Sequence, residues 1–311
     1  MKDKNSVTSN QAGKSDKVLI PVDFSAKGSI AIQVGFELAR RLSKDVTLLH
    51  ASTLINPTEY PQFPDDFYGI DIENEEIEEM ELGEEVKEID ANSFHRLILK
   101  IKKLQKEKQI PDIQFDTVMW PGMPEEVISE YCSQHSPDII VMATRGCNKI
   151  REELVGSVTG EVIDHCIAPV FAVPECYTYS GFKGIVRICA FCYWDEGDIK
   201  AISFLMEMFD NPSITLYLFP ATEKMKNQEL QEYMDSLVSK LSERYPNSRF
   251  LYINDSSKNL RESAESLFKE ENIQMILAPN RKRSAIARFF NPGLAHRILF
   301  EIDFPLFAIP V

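Results

Sequence analysis

The chain has 311 residues, 44% of them hydrophobic and 26% charged, with a formal net charge of −14. No apolar run approaches the roughly 20 residues needed to cross a bilayer, which excludes a helical membrane protein. Fourteen acids and one lysine between Glu59 and Asp90 carry −13 of the charge, so the excess is local and that segment is no surface for nucleic acid.

The polar opening, residues 1–16, has no apolar stretch of the kind a secretory signal carries and reads as a disordered tail. Lys17–Ser25 (KVLIPVDFS) is a buried strand that ends in an acid and a hydroxyl, with Ser25 placed to cap the helix that follows. In that helix Ile30, Val34, Leu38 and Leu42 fall on one face. Val46–His50 is a second strand. The acidic stretch comes next, and then a helix to about Lys108 whose stripe is Phe94, Leu97, Ile101 and Leu104. Strands at Ile113–Val118, Asp138–Met142 and Val170–Val173 alternate with helices at Pro124–Gln134 and Ser157–Cys166.

Cys176–Gly184 holds two glycines and few core residues and reads as a linker at 177–184. Beyond it the alternation resumes, with strands near 187–194, 214–219, 249–253, 274–277 and 306–309 and helices near 199–209, 228–244, 260–270 and 294–300. Strands alternating with helices of this length predict an α/β fold built on parallel sheet with helices on both faces. Six cysteines are scattered, which argues against a disulfide framework. The pair Cys189 and Cys192 has the spacing of a redox or metal half-site, but it lies inside an apolar strand and reads as buried structure.

The second half repeats the first. Asp138–Glu175 aligns without a gap on Gln274–Val311, with identities that include Ile140/Ile276, Arg145/Arg281, Pro169/Pro305, Phe171/Phe307 and Pro174/Pro310. The shared positions are those a buried strand needs. The changed ones include Gly146, which becomes Lys282, and Gly156, which becomes Pro292. In the first half, Ala143-Thr144-Arg145-Gly146 is followed after nine residues by Gly156-Ser157. Gly146 would let backbone approach a phosphate closely. Gly156-Ser157 opens a helix whose free amides form an anion site. Arg145 or Lys149 could add a charged contact. The plainer readings stay open: a turn and cap at Gly156-Ser157, a strand-end cap at Asp23, a strand-edge feature at Pro21, and a structural ion pair at Arg145.

These residues resemble the universal stress protein family, whose nucleotide-binding members carry G-x-x-G, nine residues and G-[S/T] after the fourth strand. The resemblance covers nearly all of Lys17–Glu175 and, more weakly, Ile185–Val311, with Ala143 standing for the first glycine. It implies two tandem five-stranded open-sheet domains, 17–176 and 185–311, paired through their last strands as an intramolecular pseudo-dimer. It implies ATP or another adenine nucleotide in the first domain only, with Mg2+ able to offset the acidic charge. Asp23 would accept from the adenine or ribose, with Pro21 counted among the binding residues, and the backbone at Ala51 would meet the base. Met142 and Ala143 would line the ribose pocket, and Arg145, Gly146, Gly156, Ser157, Val158 and Thr159 would hold phosphates. Tyr193 falls where Asp23 stands, and Pro279, Lys282 and Pro292 replace the loop positions, so the second domain reads as unfit for phosphate.

The expected role is a cytoplasmic, regulatory stress-response protein with an unknown protein partner, a homodimer being open, and no catalytic or metal site. No P-loop, GxGxxG or nucleophile elbow is present. Ser157 and His165 lie two turns apart on one helix, and the five histidines are dispersed. Two other readings are a nucleotide-free interaction scaffold with both sites degenerate, and a slow ATPase that uses the acids for metal.

Overall fold

The computed structural model describes residues 17–25, 28–52, 75–144, 157–165, 167–179, 181–209, 213–221, 228–253, 260–280 and 304–311, with the side chains of 75–89, 157, 228–230 and 260–261 left aside. Among the described residues, ten strands form one sheet in the order β3-β2-β1-β4-β5-β10-β9-β6-β7-β8. They are β1 Lys17–Pro21, β2 Asp45–Ser52, β3 Phe115–Pro121, β4 Ile139–Thr144, β5 Val170–Pro174, β6 Arg187–Cys192, β7 Thr215–Pro220, β8 Arg249–Tyr252, β9 Met275–Asn280 and β10 Leu306–Pro310. All neighbours run parallel except β5 and β10, which pair antiparallel with Phe171 opposite Phe307.

The helices are α1 Ser29–Leu42, α2 Glu75–Lys106, α3 Pro124–His135, α4 Ser157–His165, α5 Glu196–Phe209, α6 Gln228–Arg244 and α7 Leu260–Glu270. One face of the sheet packs against α1, α2, α5 and α6 and the other against α3, α4 and α7. This is the mostly parallel α/β architecture the alternation predicts. The stripe of α1 is buried as expected at Ile30, Val34 and Leu38. Gly35 lets the helix settle on β1, because a Cβ there would overlap the side chain of Ile20. Phe94 and Ile101 of α2 are buried, with Leu97 and Leu104 packed beside them. Of the acidic stretch, 75–90 lies in α2, and 59–74 falls outside the described residues, as does the helix expected near 294–300.

Three expectations need correction. Ser25 does not cap α1, which begins four residues later with Gly28 in the cap position; the chain first makes a turn in which the Ser25 amide donates to Asp23 Oδ1 at 3.0 Å. The linker is not poor in core residues. Phe182 is 1% exposed, lies 5.8 Å from the ring of Phe171 and 5.1 Å from that of Phe209, and has the Arg41 guanidinium 5.1 Å above it. Against the expectation of no disulfide framework, Cys176 is disulfide-bonded. Cys189 and Cys192 are free and buried, and burial pushes both thiols well up.

Local geometry repeats between the two halves of the sheet. Val18 pairs with Ile139 and Ile188 pairs with Met275, so these positions correspond. On that register Phe24 corresponds to Trp194. Both are left-handed, with φ of 57° and 68°, a conformation a bulky L-residue adopts only when its surroundings hold it there. Ser136 and Asn272, which follow α3 and α7, correspond in the same way, with φ of 48° and 50°.

Candidate functional site

In an open parallel sheet, ligands sit beyond the carboxyl ends of the strands, where the order of the strands reverses. Here that place lies beyond β1 and β4. Pro21 is the last residue of β1, opposite Leu49 in the register, and Asp23 lies exposed two residues beyond. Ala51 is half-buried near the end of β2, and Met142 and Ala143 lie near the end of β4, Met142 buried and Ala143 half-buried. Ser157 begins α4, with Val158 half-buried and Thr159 buried in its first turn.

Met142, Ala51 and Val158 share the α3–α4 side of the sheet, while Ala143 packs toward α1 and α2. Arg145, Gly146 and Gly156 lie outside the described residues, as does the side chain of Ser157. Ala143 is a strand residue and is not among those with positive φ. The methyl at the first position of the loop motif is therefore tolerated without backbone strain.

The turn after β1 rests on residues that pattern reading does not reveal. His50 Nδ1 bonds to the Val22 carbonyl at 2.8 Å, and its Nε2 lies 3.4 Å from Asp90 Oδ1 on α2. The Ser52 hydroxyl donates to Asp90 Oδ2 at 2.5 Å. The ring of Phe24 lies 4.3 Å from that of His50 and 4.9 Å from that of Phe94. The only signal in the sequence is a histidine and a hydroxyl that flank Ala51 at a strand end.

The corresponding turn after β6 is built differently. Tyr193 takes the place of Asp23, and Asp198 takes that of Gly28. The Asp198 side chain is fully buried and accepts from the amides of Tyr193 at 3.0 Å, Trp194 at 2.7 Å and Asp195 at 3.4 Å. Burial raises its carboxyl to about 6 against the pull of those amides. In the first half no carboxylate enters from this position. Gly28 has none to offer, and a Cβ on it would stand 3.7 Å from Asp23 Oδ1.

Among the described residues, no group of three or more His, Cys, Asp or Glu side chains could hold a metal ion, and no helix is long and apolar enough to cross a membrane. His165 closes α4 at the end opposite Ser157, exposed beside Glu161.

Comparison with known proteins decides the family. The universal stress protein family model matches residues 14–174. The chain belongs to the universal stress protein family. Universal stress protein MJ0577 of Methanocaldococcus jannaschii is 29% identical over 160 residues, which are 50% of this chain and 93% of the relative. A universal stress protein from Archaeoglobus fulgidus DSM 4304 superposes with a TM-score of 0.67 at 13% identity, covering 96% of this chain and 99% of its own. A functionally unknown protein, PA1789 of Pseudomonas aeruginosa PAO1, superposes at 0.55 with 9% identity, covering 95% of this chain and 92% of its own. At those identities the two structures show the fold alone.

Proposed function

We propose that residues 17–176 form a domain that binds ATP or another adenine nucleotide and acts as a regulatory binding protein rather than an enzyme. One observation carries this reading: the exposed Asp23 just past β1, Ala51 and Met142 near the carboxyl ends of β2 and β4, and the start of α4 all fall on the carboxyl-end side of the sheet. In this reading Asp23 and Pro21 meet the sugar and base, and the Ala51 backbone reads the base edge. The amides that open α4, with Arg145, Gly146 and Gly156 before them, take the phosphates. Mg2+ would offset phosphate charge near the acidic stretch.

Residues 185–311 are read as a second domain of the same fold that takes no nucleotide. The repeated strand order and the matched left-handed residues favour two domains. The antiparallel β5–β10 pair supports their association as a pseudo-dimer within the chain, since pairing covers strand edges that would otherwise be open. Binding would shift the shape presented to a protein partner.

Titration calorimetry with ATP and Mg2+ tests the reading. One site per chain is expected, lost in Asp23→Ala and in Gly156→Pro. No heat with any adenine nucleotide from a folded protein would leave the interaction scaffold as the better account.

A further inference from the structure

Two stretches of chain border the proposed base and sugar pocket, Val22–Phe24 after β1 and His50–Ser52 at the end of β2. Both converge on one carboxylate of α2. The Val22 carbonyl can only accept, so His50 Nδ1 carries the proton between them. Its Nε2 faces Asp90 at 3.4 Å, an ion-pair distance when the ring is charged. The other oxygen of Asp90 accepts from Ser52. Ala51 therefore lies between two residues that both hold Asp90. The His50 and Asp90 side chains are 12% and 15% exposed, so water competes little for these bonds.

The geometry points to His50 and Asp90 as positioning residues of the nucleotide site, with α2 as the element that sets the pocket. This rests on the nucleotide reading above. Neither residue needs to touch the ligand. They fix the carboxylate of Asp23 and the backbone of Ala51 by holding the chain on either side of each. The turn requires such a hold, because Phe24 is left-handed at φ 57° and that conformation is uphill for any residue but glycine. The rings of His50 and Phe94 clamp it.

The other half of the sheet supplies the contrast. There the register puts Pro220 where His50 stands, and proline has no side-chain donor. The same turn is held instead by Asp198 from within. Holding the first turn from α2 leaves its ligand side free of any internal carboxylate. It also makes the site sensitive to the helix that carries the end of the acidic stretch, so whatever shifts α2 is felt at Asp23 and Ala51.

Asp90→Ala is expected to raise the Kd for ATP and Mg2+ about tenfold, the worth of a charged hydrogen bond. Asp90→Asn, which keeps an acceptor for Ser52, should raise it less. Leu237→Ala, which empties a buried position on α6 in the other half of the sheet, is the control for general destabilisation. It should lower the melting temperature more than Asp90→Ala does, yet change the Kd by less than about twofold, as expected of an uncoupled site. The backbone amide resonances of Asp23 and Ala51 should move in Asp90→Asn while those of β10 stay. An Asp90→Ala protein that binds as tightly as wild type, or a Leu237→Ala protein that loses as much, overturns the positioning role. Wild-type protein that binds no adenine nucleotide removes the proposed function instead. The amide resonances then still decide whether Asp90 holds the two stretches of chain, with unmoved Asp23 and Ala51 signals overturning that hold.

Discussion

The turn after β1 and the turn after β6 share one backbone and differ in where they keep a carboxylate. Each has a left-handed aromatic at its second position, Phe24 and Trp194. In each, the helix-side amide bonds back to a carbonyl three residues earlier, Gly28 to Ser25 and Asp198 to Asp195. The first turn puts its acid at the open end, as the exposed Asp23, and a glycine at the helix start. The second puts a tyrosine at the open end and its acid at the helix start, fully buried beneath its own amides. The same fold thus gives an acceptor facing outward in one half and a self-capped turn in the other. The two turns differ in whether the carboxylate stands at the open end or beneath amides that it already occupies.

The largest effect is expected where the second turn loses its cap. Asp198→Ala would remove the carboxylate on which the amides of Tyr193, Trp194 and Asp195 converge. At neutral pH the loss of stability to urea should be about 4 kcal/mol, since each withdrawn donor costs about 1–3 kcal/mol and relief of the buried charge returns part of that. A change below about 1 kcal/mol would mean that the turn does not depend on its carboxylate.

A second effect of similar origin concerns pH. Burial raises Asp198 from its ordinary 3.8 to about 6, so the folded chain holds this proton more tightly than the unfolded chain does. The resulting stability is fully present below the unfolded value and is lost as pH rises through about 6. A rise of this size is worth about 3 kcal/mol at most. Urea midpoints measured from pH 4 to 7 should therefore fall less steeply in Asp198→Asn than in wild type. Parallel profiles would show that the group titrates as it does in the unfolded chain.

Moving the acid the other way should close the first turn. A Cβ at Gly28 meets only Asp23 Oδ1, at 3.7 Å, and its φ of −65° suits any residue. Gly28→Asp should fold. Its carboxylate would compete for the Asp23–Ser25 amides and repel both Asp23 and a phosphate. ATP affinity should fall about thirtyfold, near 2 kcal/mol. Unchanged affinity with an unchanged melting temperature would separate the turn from the ligand site.

Much of the scaffold could be read from the residues, because a buried parallel strand is a short apolar run and an amphipathic helix repeats every three to four positions. The alternation from β1 to β10 and the stripes of α1 and α2 follow from that. The correspondence of Asp23 with Tyr193 followed from counting positions, and the β1–β4 and β6–β9 registers agree with it. What escaped was set by tertiary contact. Nothing local marks Phe24 as left-handed, since aromatics rarely are. Asp90 lies 38 residues from Ser52, and its rotation on α2 depends on how Phe94 and Ile101 dock. Ser25 has the chemistry of a cap but sits in the turn that Phe24 bends. Phe182 lies between two glycines, which suggest a loose linker until Phe171, Phe209 and Arg41 enclose it.

The smallest effect expected is none, and it bears most directly on why the second turn is closed. Tyr193→Asp restores the acid that the first turn carries at this position. If the missing acid alone disabled the second half, the variant would take up a second nucleotide per chain. The amides of residues 193–195 already point at Asp198, however, and a new carboxylate beside it would face a like charge. The calorimetric stoichiometry should therefore stay at one, with the first-half affinity unchanged. A stoichiometry of two would mean that a buried carboxylate beneath the turn does not exclude a ligand, and the contrast between the two turns would reduce to their first residue.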